Sequence, residues 1–217
     1  GAVLSELSAA QMSDYAARSA ARAMTTGEVF QYELERPVSI GRQRSAMLPI
    51  INAGIEGTRV SIYSTMENYT RPMRGVRIKN TSTMQLLPGP ISVFDGGTYA
   101  GDAQVGAIVP GDTRLLSYAV DLDILVTGNE ETQNQLSRLR IVDGTFERTD
   151  KNRRVASYTL KNKNQKTAKT LVVEYPKRPG ETLVEPATPA EVTEDLLRFD
   201  VPVASGASAD LKVVHEW

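Results

Sequence analysis

The 217-residue chain has no cysteine and a single histidine, His215. Without cysteine there can be no disulfide, thiolate zinc site, iron–sulfur cluster or cysteine nucleophile. A cysteine-free chain is stable in either redox compartment, so the absence is silent on location. One histidine cannot build the imidazole-rich sites that zinc, copper or non-haem iron usually require. A Ser-His-Asp triad would have to rest on His215. The segment His215-Glu216-Trp217 is instead expected to close a last strand, with Trp217 covering apolar surface. Aromatic residues are only 6% of the chain. Neither sign of charge dominates: 25 Lys and Arg face 26 Asp and Glu, for a net charge of −1. A globally basic nucleic-acid binder is therefore not expected. No apolar run approaches the roughly 18 residues that a membrane-spanning helix needs. Also missing are a glycine-lysine phosphate loop, a glycine-rich dinucleotide fingerprint after a strand, and a G-x-S-x-G elbow.

What remains is the composition of a globular protein, 41% hydrophobic and 24% charged. The length suits one or two domains of roughly 100–200 residues. Gly (16 residues) and Pro (11) are spread along the chain, which fits neither collagen nor a low-complexity linker. Position 1 is Gly rather than Met. The expectation is a chain that continues upstream, where any signal peptide would lie.

Residues 4–24 are Ala-rich and lack Gly and Pro, and Thr25-Thr26-Gly27 follows as a stop. An N-terminal helix is expected within 1–27, either packed on the next domain or the tail of an upstream coiled coil. From Glu28 the pattern changes to period two: Phe30, Tyr32 and Leu34 alternate with Gln31 and Glu33. Further strands are expected around Val38–Ile40, Met47–Ile51, Val60–Tyr63, Val76–Ile78 and Ile91–Phe94, then Arg114–Val126 as the longest. Asp95-Gly96-Gly97 reads as a hairpin turn, as does Asp143-Gly144. The polar stretch 127–135, TGNEETQNQ, reads as a break. Strands then resume at 155–160, 170–175, 183–184, 196–203 and 211–214. Short strands with frequent turn signals and no alternation with helices imply an all-β fold. The expected architecture is two consecutive antiparallel β-sandwich-like domains, 28–127 and 128–217, behind the helix.

Charge is unevenly placed. Residues 145–180 hold ten Lys or Arg and three acids, while 181–217 hold eight acids and two bases. The basic block could serve polyanions. The favoured reading is that the two blocks meet as cross-strand partners in one sheet. Two carboxylate pairs invite a chemical reading. Asp121-x-Asp123 would put both groups on one face of a strand, where they could hold a hard cation or act as acid and base. With 26 acids in the chain such a pair arises by chance, so a structural role is expected. Asp95 and Asp102 flank GGTYAG and could hold Ca²⁺, although turn residues already have a sufficient role there.

The stretch Leu87–Asp102, LPGPISVFDGGTYAGD, followed by Pro110–Asp121, PGDTRLLSYAVD, resembles the C-terminal β domain of bacterial mucoidy-inhibitor-like proteins. That domain has no assigned function. Fainter likeness lies at Phe30-x-Tyr32 with Pro37-Val38, at Ser45–Pro49, and at Tyr158–Asn162 before Tyr175-Pro176. The resemblance implies a coiled coil upstream and export to the bacterial envelope or surface. It supplies no catalytic residues. The expectation is a non-enzymatic module, without cofactor or metal, that binds a protein partner or the rest of its own longer chain. A carbohydrate-binding or carbohydrate-active sandwich is the alternative, with Tyr63, Tyr69 and Tyr99 as candidate platform residues.

Overall fold

A computed structural model describes residues 21–26, 29–34, 38–39, 41–43, 54–67, 69–142 and 145–217. The strands run β1 (Ala21–Thr26), β2 (Val29–Leu34), β3 (Glu56–Ser64), β4 (Met73–Lys79), β5 (Gly89–Asp95) and β6 (Thr98–Val105). They continue with β7 (Thr113–Val120), β8 (Ile124–Val142), β9 (Thr145–Asn162) and β10 (Lys169–Pro176). The last four are β11 (Thr182–Glu185), β12 (Glu191–Val192), β13 (Leu196–Val203) and β14 (Ser208–Glu216). The described residues are all-β. The bulk of the expected helix, residues 1–20, lies outside them. Residues 21–26, its last turn and stop, are extended and pair with β2 instead. Candidate strand 47–51 also lies outside them.

Six strands form one sheet in the order β12-β13-β10-β3-β4-β7, and four form a second in the order β11-β14-β9-β8. β3 and β10 pair in parallel, with Leu171 opposite Ser61 and Val173 opposite Tyr63. The other named pairings are antiparallel. Period two explains the core. Leu197, Phe199, Val201 and Val203 on β13 alternate with more exposed residues, whereas the inner strand β10 buries Val172 as well as Leu171, Val173 and Tyr175. From the other sheet they meet Ile124 and Val126, Ala156 to Leu160, and Leu211 with Val213. Burying side chains of this size contributes roughly 1.5–3 kcal/mol each.

The expected boundary at 127/128 falls inside β8. Strands from both sides of it share the six-stranded sheet and this core. Among the described residues the two segments keep to adjacent blocks, β12-β13-β10 and β3-β4-β7, joined in one sheet by the β3–β10 pairing, and apart from Tyr63 the larger core is built from 124–217. Pattern reading misses this because it sees strands but not which distant strands pair.

The ribbon β5–β6 lies apart from both sheets and closes a smaller core, in which Ile91, Val105 and Ile108 meet Val76, Ile78 and Leu116. Its turn is the expected one. Gly96 and Gly97 both have positive φ, 58° and 80°, as the twisted two-residue hairpin demands. At Gly101 the ribbon passes so close to β7 that a Cβ would stand 2.2 Å from the Tyr118 carbonyl oxygen. With φ at 146° as well, that position requires glycine.

The charge blocks meet as cross-strand neighbours. Arg153 is registered with Glu216 and Glu174 with Arg198. Lys151 Nζ lies 2.6 Å from Glu216 and Arg154 is paired with Glu181, while Arg198, a base within the acidic block, lies 2.9 Å from both Glu174 and Glu191.

Candidate functional site

The carboxylate pair does not lie on one strand. β7 stops at Val120 and β8 starts at Ile124, so 121–123 is a turn that carries the chain from one sheet to the other. The Asp123 amide donates to Asp121 Oδ1 at 3.1 Å, which stabilises the turn locally. Asp121 is buried and Asp123 half-buried. Ser61 Oγ on β3 donates to Asp121 at 2.6 Å. Lys169, the first residue of β10, places Nζ 2.7 Å from both Asp121 oxygens and 2.9 Å from Asp123. The ammonium thus occupies the position between two carboxylates where a hard cation would sit. Asn164 also donates to Asp123 at 3.2 Å. The Lys169 bond, then the Asn164 bond, hold the Asp123 carboxyl below the usual carboxylate range. The buried Asp121 carboxylate is thus satisfied by Ser61 and Lys169, the character of a structural tie.

These residues form one end of a cavity of about 440 Å³, with Arg59, Arg74 and Tyr118 on its wall. Arg59 is bonded to Asp95 of the ribbon. Asp95 is thereby committed to an arginine, and Asp102 lies elsewhere, accepting from Tyr99 OH at 2.8 Å and Ser92 Oγ at 2.9 Å. The Tyr99 bond leads in lowering the Asp102 carboxyl. The structure does not bring Asp95 and Asp102 onto a common partner. No group of three or more metal-ligating side chains occurs among the described residues.

A second cleft, also about 440 Å³, is lined by the start of β8 and includes Tyr63, Tyr69 and Tyr158. Tyr63 and Tyr158 are buried and meet edge to face at 6.2 Å. Desolvation lifts the Tyr158 hydroxyl to about 12. Tyr69 is 67% exposed, and Tyr99, also exposed, stands on the separate β5–β6 ribbon against Phe94. One accessible ring in the cleft is not a row of sugar-stacking aromatics.

His215 is buried on β14 and stacked on Tyr175, with ring centroids 5.2 Å apart and planes 11° from parallel. Desolvation lowers its pKa. Arg154, Glu181 and Glu130 form the adjoining ion cluster, and Trp217 lies under the Arg154 guanidinium at 4.9 Å. No hydroxyl nucleophile is bonded to His215 among the described contacts. The expected closing strand is present, and the Trp217 ring packs against the Arg154 cation.

The most exposed feature is the β8–β9 hairpin. β14 supports β9 only as far as Arg153, and Trp217 exchanges backbone bonds with Asn152. Beyond that level β8 and β9 pair, among the described residues, only with each other, up to Val142 opposite Thr145. Leu136, Ile141 and Phe146 are exposed there, and Ile141 and Phe146 are direct cross-strand partners. The polar stretch 127–135 is therefore strand, not a break. Its residues from 127 to 135 are all exposed, so it shows no apolar alternation to read.

Compared with known proteins, the chain matches no family model, no curated protein and no solved structure.

Sequence reading missed Lys169, Ser61 and Arg74 as companions of the Asp pair. Their separations of 48 and 60 residues in the first two cases leave no local signal.

Proposed function

We propose that this chain is a non-enzymatic interaction module of the bacterial envelope or surface, which engages protein through its β8–β9 arm. One observation carries the reading: the arm extends past the sandwich with its strand edges unpaired by other described strands and an apolar pair, Ile141 and Phe146, towards its tip. Open strand edges and exposed apolar side chains are what protein partners bind. The charged cavity supports the non-enzymatic part, because its most buried carboxylate is tied to Lys169 and Ser61. Export and a coiled coil upstream rest on the resemblance to mucoidy-inhibitor-like proteins. No role for nucleic acid or cofactor enters this reading.

The test is photo-crosslinking in a bacterial host, with the probe residue at 141 or 146 and, as control, at exposed position 205 on the β13–β14 turn. The reading expects a discrete protein adduct from the arm positions only. No adduct at either, or a hydrolase activity lost on Asp121→Asn or Asp123→Asn, overturns it. A carbohydrate-binding reading draws on the Tyr69 cleft, and a glycan array with binding lost in Tyr69→Ala would favour it instead.

A further inference from the structure

The partner of this arm can be specified further, on the reading that the arm is the interacting element. We infer that the outer edge of β8 pairs antiparallel with β8 of a second copy of this chain, about a two-fold axis near Asn134.

The direction of the free backbone groups comes first. The Val126 amide donates to the Thr70 carbonyl at 2.8 Å, away from β9. Along a strand, backbone groups alternate sides, so those of Gly128, Glu130, Thr132, Asn134 and Leu136 also face away from β9. β8 is the edge of its sheet. Thr70 covers that edge at Val126, and among the described residues no backbone bond takes it up from Thr132 to Leu136. Proline, a common edge blocker, is absent from β8.

Charge then selects the occupant. The outer part of β8 is acidic at Glu131 and basic at Arg138, with the neutral run Thr132-Gln133-Asn134-Gln135 between them. Both charged residues are exposed. An antiparallel second copy centred on Asn134 sets Thr132 opposite Leu136. Glu131 of each copy then falls beside Arg138 of the other, the extra residue being taken up at the Ser137 bulge. The two-fold makes that attraction twice. A parallel copy would align like with like, Glu131 on Glu131. Self-complementary charge is what an isologous interface requires, and no foreign partner is needed to explain it.

The test is sedimentation velocity on the full chain from low micromolar to several hundred micromolar. The inference expects a monomer–dimer equilibrium. Asn134→Pro should abolish it without unfolding the chain, because that amide does not serve the β8–β9 ladder. Glu131→Arg and Arg138→Glu should each weaken association about tenfold, and the double reversal should restore it. A wild-type chain that stays monomeric throughout, or a double reversal no tighter than the single variants, overturns the inference. A monomer whose arm still crosslinks to another protein in cells rejects the second copy alone. A monomer without adducts rejects the interaction reading as well.

Discussion

β8 is one strand with two environments, and the contrast separates what holds this fold from what it offers to others. Ile124 and Val126 at its start are essentially inaccessible, while Ile141 near its end is 74% exposed. The backbone is extended in both halves and β9 is the partner throughout. What differs is the second sheet. The first half faces β10 and β13 across the core, and the second half faces nothing among the described strands. Strand pairing alone thus sustains an arm, whereas burial against a facing layer builds the body.

Four perturbations should sharpen that contrast. The largest effect is expected at the sheet-crossing turn. Lys169→Met leaves Asp121 buried without its main counter-charge and should cost about 3–4 kcal/mol in urea unfolding. Adding Asp121→Asn should recover part of that loss, and simple additivity would argue against a coupled pair. Next is the core. Leu171→Ala should cost about 3 kcal/mol, against about 0.5 kcal/mol or less for Ile141→Ala in the arm. Equal costs would erase the distinction between the two halves. Gly101→Ala should cost about 2 kcal/mol, because the residue has a left-handed φ and no room for a Cβ beside Tyr118. Its effect should be greatest on exchange protection in β5–β6 and β7.

The smallest effect is the pH dependence set by His215. Its pKa is lowered in the folded state, so the unfolded chain binds the proton more readily. The stability associated with the neutral ring is fully present above the unfolded pKa of about 6.5. It falls as pH drops from there through the folded value. His215→Phe keeps a ring against Tyr175 and should flatten the thermal midpoint between pH 7.5 and pH 5. An unchanged slope would show that other groups set it.

Much of the body is legible from sequence. The strands at Val60–Tyr63, 155–160, 170–175, 196–203 and 211–214 are all present. β13 buries one face, which writes itself as alternation, and β10 buries residues on both, which writes itself as an apolar run. The Asp95-Gly96-Gly97 turn is legible because positive φ demands those residue types. The stretch 127–135 is not legible for the converse reason: its residues are all exposed, so it carries no pattern. The joining of both halves in one sheet is equally hidden. It depends on the parallel match of β3 with β10, more than a hundred residues apart, which leaves no mark on either segment. Of the candidate site, Asp121 and Asp123 stand out by spacing. Their function as a tie depends on Lys169 and Ser61, which only the fold brings there.

The arm is expected to be carried by the body and to contribute nothing to holding it together. Replacing residues 136–150 with Asn-Gly joins Gln135 to Lys151, which are already cross-strand partners. Equilibrium urea unfolding of this shortened chain, at a concentration where the parent is monomeric, is the direct measurement. A cooperative transition within about 1 kcal/mol of the parent is the predicted result. Loss of the cooperative transition, or a much larger destabilisation, would mean that the arm belongs to the fold, and would contradict the account.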